Sequence, residues 1–163
     1  MAKRIITKIG DIFCVHVSEG AHRYFQYVAN DMTQLNSSVI RVFKKNYPAG
    51  QTINFDEIVR DEVDFYAHCV LAWGIQFGHW QKVGKSQNIG AVEAWFRNSE
   101  DYGKPEIIVS NKWYVWKINK EFKFIGRLTD KYKSAEIGVV VTPEDVVKRI
   151  RTGAYDFVYP KFE

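Results

Sequence analysis

The sequence predicts an α+β domain, mainly antiparallel, with a strongly curved sheet or partly open barrel and about three short helices. Three observations predict it. Short runs rich in β-branched and aromatic residues recur along the chain. The links between the early runs are short and turn-like, as an antiparallel meander requires. Helix-start signals are confined to three brief segments.

The first strand is expected at Ile12-Phe13-Cys14-Val15-His16-Val17, entered through the turn pair Gly10-Asp11. Ser18-Glu19-Gly20 then turns the chain into Arg23-Tyr24-Phe25-Gln26-Tyr27-Val28. A third strand, Ser38 to Phe43, stops before Pro48 and Gly50. Phe65 to Leu71 is a fourth, with Phe65, Ala67, Cys69 and Leu71 alternating onto one face. In the second half, Trp113 to Ile118 and Glu121 to Ile125 flank Asn119-Lys120, a two-residue hairpin candidate, and Ile137 to Val141 adds a further strand. Asn54 can cap a helix over Phe55–Arg60, with Glu57 closing a capping box. Thr142-Pro143-Glu144-Asp145 is a stronger start, and that helix should end near Gly153. Ile89, Val92, Trp95 and Phe96 fall on one side of a third helix expected over 89–97.

Length and composition narrow the function classes. At 163 residues the chain fits one domain, and no linker, low-complexity tract or fixed-period repeat divides it. With 46% hydrophobic and 15% aromatic residues, disorder of the whole chain is excluded. No apolar run is long enough for a membrane span, and Met1 to Lys8 lacks the apolar core of a signal peptide. Two cysteines are too few for a disulfide framework. The chain reads as a soluble cytoplasmic domain with no membrane partner.

Residues that carry bond-making chemistry are sparse. His16, His22, His68 and His79 show no metal-ligand spacing, so no metal site is expected. His16 and His68 would form an acid–base pair only if they met across a sheet; isolated strand histidines are the plainer reading. Cys14 and Cys69 alternate with apolar residues and read as buried, inert thiols. Gly84-Lys85-Ser86 resembles the end of a phosphate-binding loop, but position 79, where its first glycine belongs, is His. No catalytic residue and no cofactor are assigned.

Two charged stretches stand out. From Asn54 to Tyr66 lie Asp56, Glu57, Asp61, Glu62 and Asp64, with Arg60 the only base. Such carboxylates can imitate phosphate spacing and bind a basic cleft on a partner, or simply solvate a helix end. Lys104 to Lys133 carries eight bases against three acids, interleaved with aromatics. Cations beside aromatics on a sheet are the ingredients of single-stranded nucleic-acid binding, here through Lys112, Trp113, Trp116, Lys117 and Lys123. Alternation of a half-buried strand produces the same pattern without any ligand.

The run Lys8-Ile9-Gly10-Asp11-Ile12-Phe13-Cys14-Val15, the aromatic strand Tyr24-Phe25-Gln26-Tyr27-Val28, and Trp80-Gln81-Lys82-Val83-Gly84 form one pattern. It resembles bacterial immunity protein family 26 of polymorphic toxin systems. The likeness covers residues 8–85, leaving 86–163 as additional strands and a C-terminal helix. Its motif residues have structural work to do: Gly10 turns the chain, Trp80 and Val83 bury, and Gly84 ends a strand. The resemblance implies a non-enzymatic protein that neutralises a bacterial toxin by occluding its active site. The expected contact residues are Asp56, Glu57, Asp61, Glu62 and Asp64, with Trp73 as an aromatic anchor beside them. Single-stranded nucleic-acid binding is the alternative function.

Overall fold

A computed structural model describes residues 3–163. Gly10 sits at φ +102°, and Asp11 locks the turn by accepting the Lys8 N–H on Oδ2 at 2.8 Å. A Cβ on Gly10 would meet the Ser86 carbonyl oxygen at 2.8 Å, so glycine is required there. The chain then runs through β1 (Asp11–Ser18), β2 (Ala21–Asp31) and β3 (Ser37–Phe43) as the expected antiparallel meander. β4 (Tyr47–Pro48) rests on the start of β2, and α1 (Phe55–Ile58), β5 (Val63–Cys69), α2 (Leu71–Gln76) and β6 (Gln81–Lys85) follow. The second half supplies β7 (Trp95–Ser99), β8 (Trp113–Lys117), β9 (Lys123–Gly126), β10 (Glu136–Ile137), β11 (Val140–Val141) and α3 (Pro143–Thr152).

These strands form two sheets. The larger has the order β11-β5-β3-β2-β1-β6, with β4 beside β2; the smaller is β10-β7-β8-β9. Both are open. Pairing is antiparallel except for β10 on β7 and β11 on β5, which are parallel. The architecture is therefore α+β, mostly strands in mixed sheets, with three short α-helices.

Period-two alternation sorts the core into layers. Phe13, Val15, Phe25, Tyr27, Ile40, Val42, Phe65 and Ala67 face α2 and α3, where Leu71, Trp80, Val146, Val147 and Ile150 meet them. On the other face, Ile12, Cys14, Tyr24 and Phe43 pack beneath Ile58 and Val59 of α1 and its end. Further along that face, Val28 and Val39 meet Phe96 and Trp116 of the small sheet. Trp113, Val115, Leu128 and Tyr132 fill the small sheet's outer side. Each fully buried large side chain contributes roughly 1.5–3 kcal/mol, so the layers hold each other.

Several local expectations are corrected. Residues 89–97 form no helix: Trp95 and Phe96 lie in β7 and point to opposite cores, because β8 and β10 supply strand partners on both sides. The remaining helix is α2, which takes Leu71 away from β5 and has no side-chain cap to announce it. Asn54 does cap α1, accepting the Asp56 N–H at 3.0 Å, but the helix is only four residues long. The β8–β9 connection spans five residues, with Asn119 at φ +60°. The 137–141 strand divides at Gly138, giving β10 to the small sheet and β11 to the large one. A Cβ on Gly138 would lie 2.1 Å from Cη2 at the edge of the buried Trp116 ring, so only glycine lets the chain cross there. Trp80 is buried as expected, whereas Val83 is exposed and β6 continues past Gly84, which receives the Phe55 ring.

α3 matches its sequence signals closely. Thr142 Oγ1 accepts the Asp145 N–H, Pro143 opens the first turn, and Gly153 ends the helix at φ +89°. Among the described residues, no helix is long and apolar enough to cross a membrane.

Candidate functional sites

The acidic segment is anchored by its own carboxylates. Asp56 accepts from Ser86 Oγ at 2.6 Å, and Asp61 accepts from the Tyr47 hydroxyl. Burial pushes the Tyr47 phenol up, and its bond to Asp61 adds to the effect. Asp64 pairs with Arg23 at 2.7 Å, and Arg23 also donates to the carbonyls of Phe43 and Ile150. Asp64 thus belongs to the framework joining β2, β5 and α3. Glu62 meets Lys44 at 2.6 Å between two solvent-exposed side chains, a pair that contributes little. Asp56, Glu57 and Glu62 remain exposed, with Asp61 half-buried between them. Trp73 does not adjoin them. It is 55% exposed on α2, which packs on the opposite face of the large sheet from α1.

The basic, aromatic stretch is rearranged relative to the sequence reading. Trp113 and Trp116 are enclosed, donating to Ser110 O at 2.8 Å and Asp31 Oδ2 at 3.0 Å, and neither presents a ring face to a base. The exposed rings are Phe122 and Phe124, at the β9 edge beside Tyr114. Phe124 pairs with Tyr114 and Lys123 with Val115, so Lys123 points to the face opposite the rings. Lys117 lies on the lysine face and is engaged by Glu93 at 3.0 Å; Lys112 is exposed near Asp101.

His16 and His68 do not meet, because β2 and β3 separate their strands. His16 packs edge-on against His22, while His68 lies fully buried beside Phe96. Its Nε2–H donates to Asp31 Oδ2 at 2.9 Å. Asp31, at the end of β2, also accepts from Trp116 Nε1, Asn119 N and Gln34 N. Burial alone would raise the Asp31 carboxyl, but these four donors hold it below its ordinary value. Burial lowers His68, with Asp31 opposing in part, and among the described residues its Nδ1 has no hydrogen-bond partner. The Asp31 and His68 side chains are fully enclosed, and this hub joins the two sheets.

Both thiols are free and buried. Burial pushes Cys69 up to about 12 and raises Cys14, where a bond with Tyr24 acts in the opposite direction. Among the described residues, no group of three or more His, Cys, Asp or Glu side chains is placed to hold a metal ion.

A cleft of about 410 Å³ opens between β10, α3 and the segment 153–159. The parallel β10–β7 pairing brings Arg97 to one wall, where its Nη1 donates to the carbonyls of Ala135 and Lys133. Rings of Phe162 and Trp113 lie 5.2 and 5.7 Å from that guanidinium. From α3, Arg149 pairs with Glu136 at 3.0 Å and lies 4.0 Å from the Phe65 ring centroid and 4.8 Å from that of Tyr155. The paired side chains are only 20% and 18% exposed. Burial raises the Glu136 carboxyl and lowers the Arg97 guanidinium, while each cation pulls Glu136 back down. Sequence reading missed this cleft. Its residues come from four separated stretches, no local motif links them, and Arg97 was expected at the end of a helix. Comparison with known protein families, curated proteins and solved structures finds no match for this chain.

Proposed function

We propose that the protein is a non-enzymatic, immunity-type inhibitor that binds a bacterial toxin domain and occludes its active site through the acidic face at α1. The supporting observation is the tethering of this segment. Ser86, Tyr47 and Arg23 hold Asp56, Asp61 and Asp64, so Glu57 and Glu62 project from a fixed scaffold. Preorganised charge lowers the ordering cost of association and speeds encounter with a basic cleft. Trp73, on the other side of the large sheet, would require a separate contact.

The double variant Glu57→Lys/Glu62→Lys reverses two exposed charges and leaves the three tethers intact. Affinity-tagged wild-type protein should capture from its native cells a domain that is toxic when expressed alone, and co-expression should restore growth. The double variant should fold identically by circular dichroism and lose that protection. Full protection by the folded variant would rule out this face.

A second reading, single-stranded nucleic-acid binding at the β8–β9 edge, is favoured by the exposed Phe122 and Phe124 rings. It expects oligonucleotide affinity that falls steeply with salt and is lost in Phe122→Ser/Phe124→Ser. A flat titration at low salt would remove it.

A further inference from the structure

We propose that the cleft between β10, α3 and segment 153–159 is a binding site for a small anion, a phosphate or carboxylate carried on a flat ring. The charge count comes first. Arg97 and Arg149 stand close enough to perturb each other, and both act on the single carboxylate of Glu136. Lys133, on the rim, already has Asp130 at 3.1 Å and Glu163 at 3.2 Å. Two largely buried guanidiniums therefore share one counter-charge. The rim holds one carboxylate more than Lys133 needs, so the cluster balances overall, with its excess positive charge on the guanidinium side of the cleft.

Unused hydrogen-bond donors are the second, independent observation. Arg97 Nε is buried with no hydrogen-bond partner among the described residues, and the buried Tyr155 hydroxyl has only the neighbouring Arg149 guanidinium beside it, itself a donor, so its O–H is unused. Both residues line the cleft. A buried unpaired donor costs about 1–3 kcal/mol, and an oxyanion accepting from either removes that penalty. Charge-assisted bonds from a guanidinium favour carboxylate and phosphate oxygens in particular.

The walls define the rest of the ligand. Tyr155 and Phe157 stack with centroids 4.9 Å apart, and Phe157 meets Tyr159 edge-on at 6.3 Å. These rings line the space beside the cations, so an aromatic or planar body attached to the anion is accommodated. The volume lies in the usual range of roughly 300–1,000 Å³ for small-molecule sites. This site is independent of the acidic face at α1, and either can fail without the other.

The test titrates wild-type protein with phenyl phosphate, benzoate and neutral benzamide, reading the Nε–Hε resonances of Arg97 and Arg149 by NMR. At least one anion should shift these resonances saturably, with benzamide at least tenfold weaker; which anion binds tighter distinguishes phosphate from carboxylate. The variant Glu136→Met/Arg149→Met, which removes the pair as a pair, should lose at least tenfold in affinity. No shift with either anion up to about 10 mM, the limit of weak binding, overturns the proposal. Equal binding of benzamide, or full affinity in the folded double variant, does so as well. If the double variant does not fold, the wild-type resonances decide alone.

Discussion

Asp31→Asn probes the buried hub directly. Each Asp31 oxygen accepts twice: Oδ2 from His68 and Trp116, Oδ1 from the Asn119 and Gln34 N–H groups. An amide keeps one oxygen and turns the other into a donor. The favoured rotamer keeps oxygen toward His68 and Trp116, both fully enclosed, and sacrifices the backbone pair near the surface, which water can reach. Hydrogen bonds to a charged acceptor contribute roughly 1.5–3 kcal/mol each, and partial resolvation of the lost pair brings the expected destabilisation to about 2–4 kcal/mol. For a chain of this length that lowers the melting temperature by about 5–15 °C. Acid adds a second readout. His68 is held below 6.5 in the fold, so the unfolded chain takes up the proton first and stability falls as pH drops through that range. Asp31, held below 3.8, contributes stability above that value and loses it as pH falls through its lower folded one. Removing the carboxylate leaves burial of His68 unopposed and pushes it lower still. Thermal melts followed by circular dichroism should therefore show a larger loss between pH 7 and 5 in the variant than in wild type. A variant as stable as wild type at pH 7.5 would refute the role of the hub.

Two further outcomes follow from packing. In Gly74→Ala, the new methyl lands on the Trp80 ring, which is buried, bonded to Leu71 O at 3.1 Å and edge-on to Phe25. Overpacking of about 1–3 kcal/mol plus the strained Trp80 bond outweighs the ~1 kcal/mol helix gain over glycine, and urea titration should show a net loss. Cys14 and Cys69 should remain unmodified by a disulfide reagent at pH 8 in native protein and react in denaturant; rapid native labelling would contradict their burial.

Legibility from sequence follows the range of the interactions. β1 to β3 were readable because each is set by its neighbour through a short turn, and their alternation already names the residues of both faces. α3 carries its own start and stop in Thr142, Pro143 and Gly153. Trp95 and Phe96 were not readable. Apolar spacing over 89–97 fits a helix, and only the distant β8 and β10 make the segment a strand. Phe122 and Phe124 alternate like core residues, yet they lie at the edge strand of the small sheet and stay exposed. Among the acidic residues, charge clustering located the segment, but the sequence could not show that Asp64 would be consumed by Arg23 across 41 positions. The cleft was hidden for the same reason, since Arg97, Glu136, Arg149 and Tyr155 converge only once both sheets are assembled.

The crossing at Gly138 constrains how the molecule can move. Residues on its two sides are stitched into different layers, so neither sheet can slide by a single step without dragging the other out of register. Arg97 rides on one of these layers, and Arg149 on the helix that begins just beyond the other. The Gly138 N–H bonds the Arg97 carbonyl at 2.7 Å, so the seam ties the strand that carries Arg97 directly to the stretch that leads into the helix of Arg149.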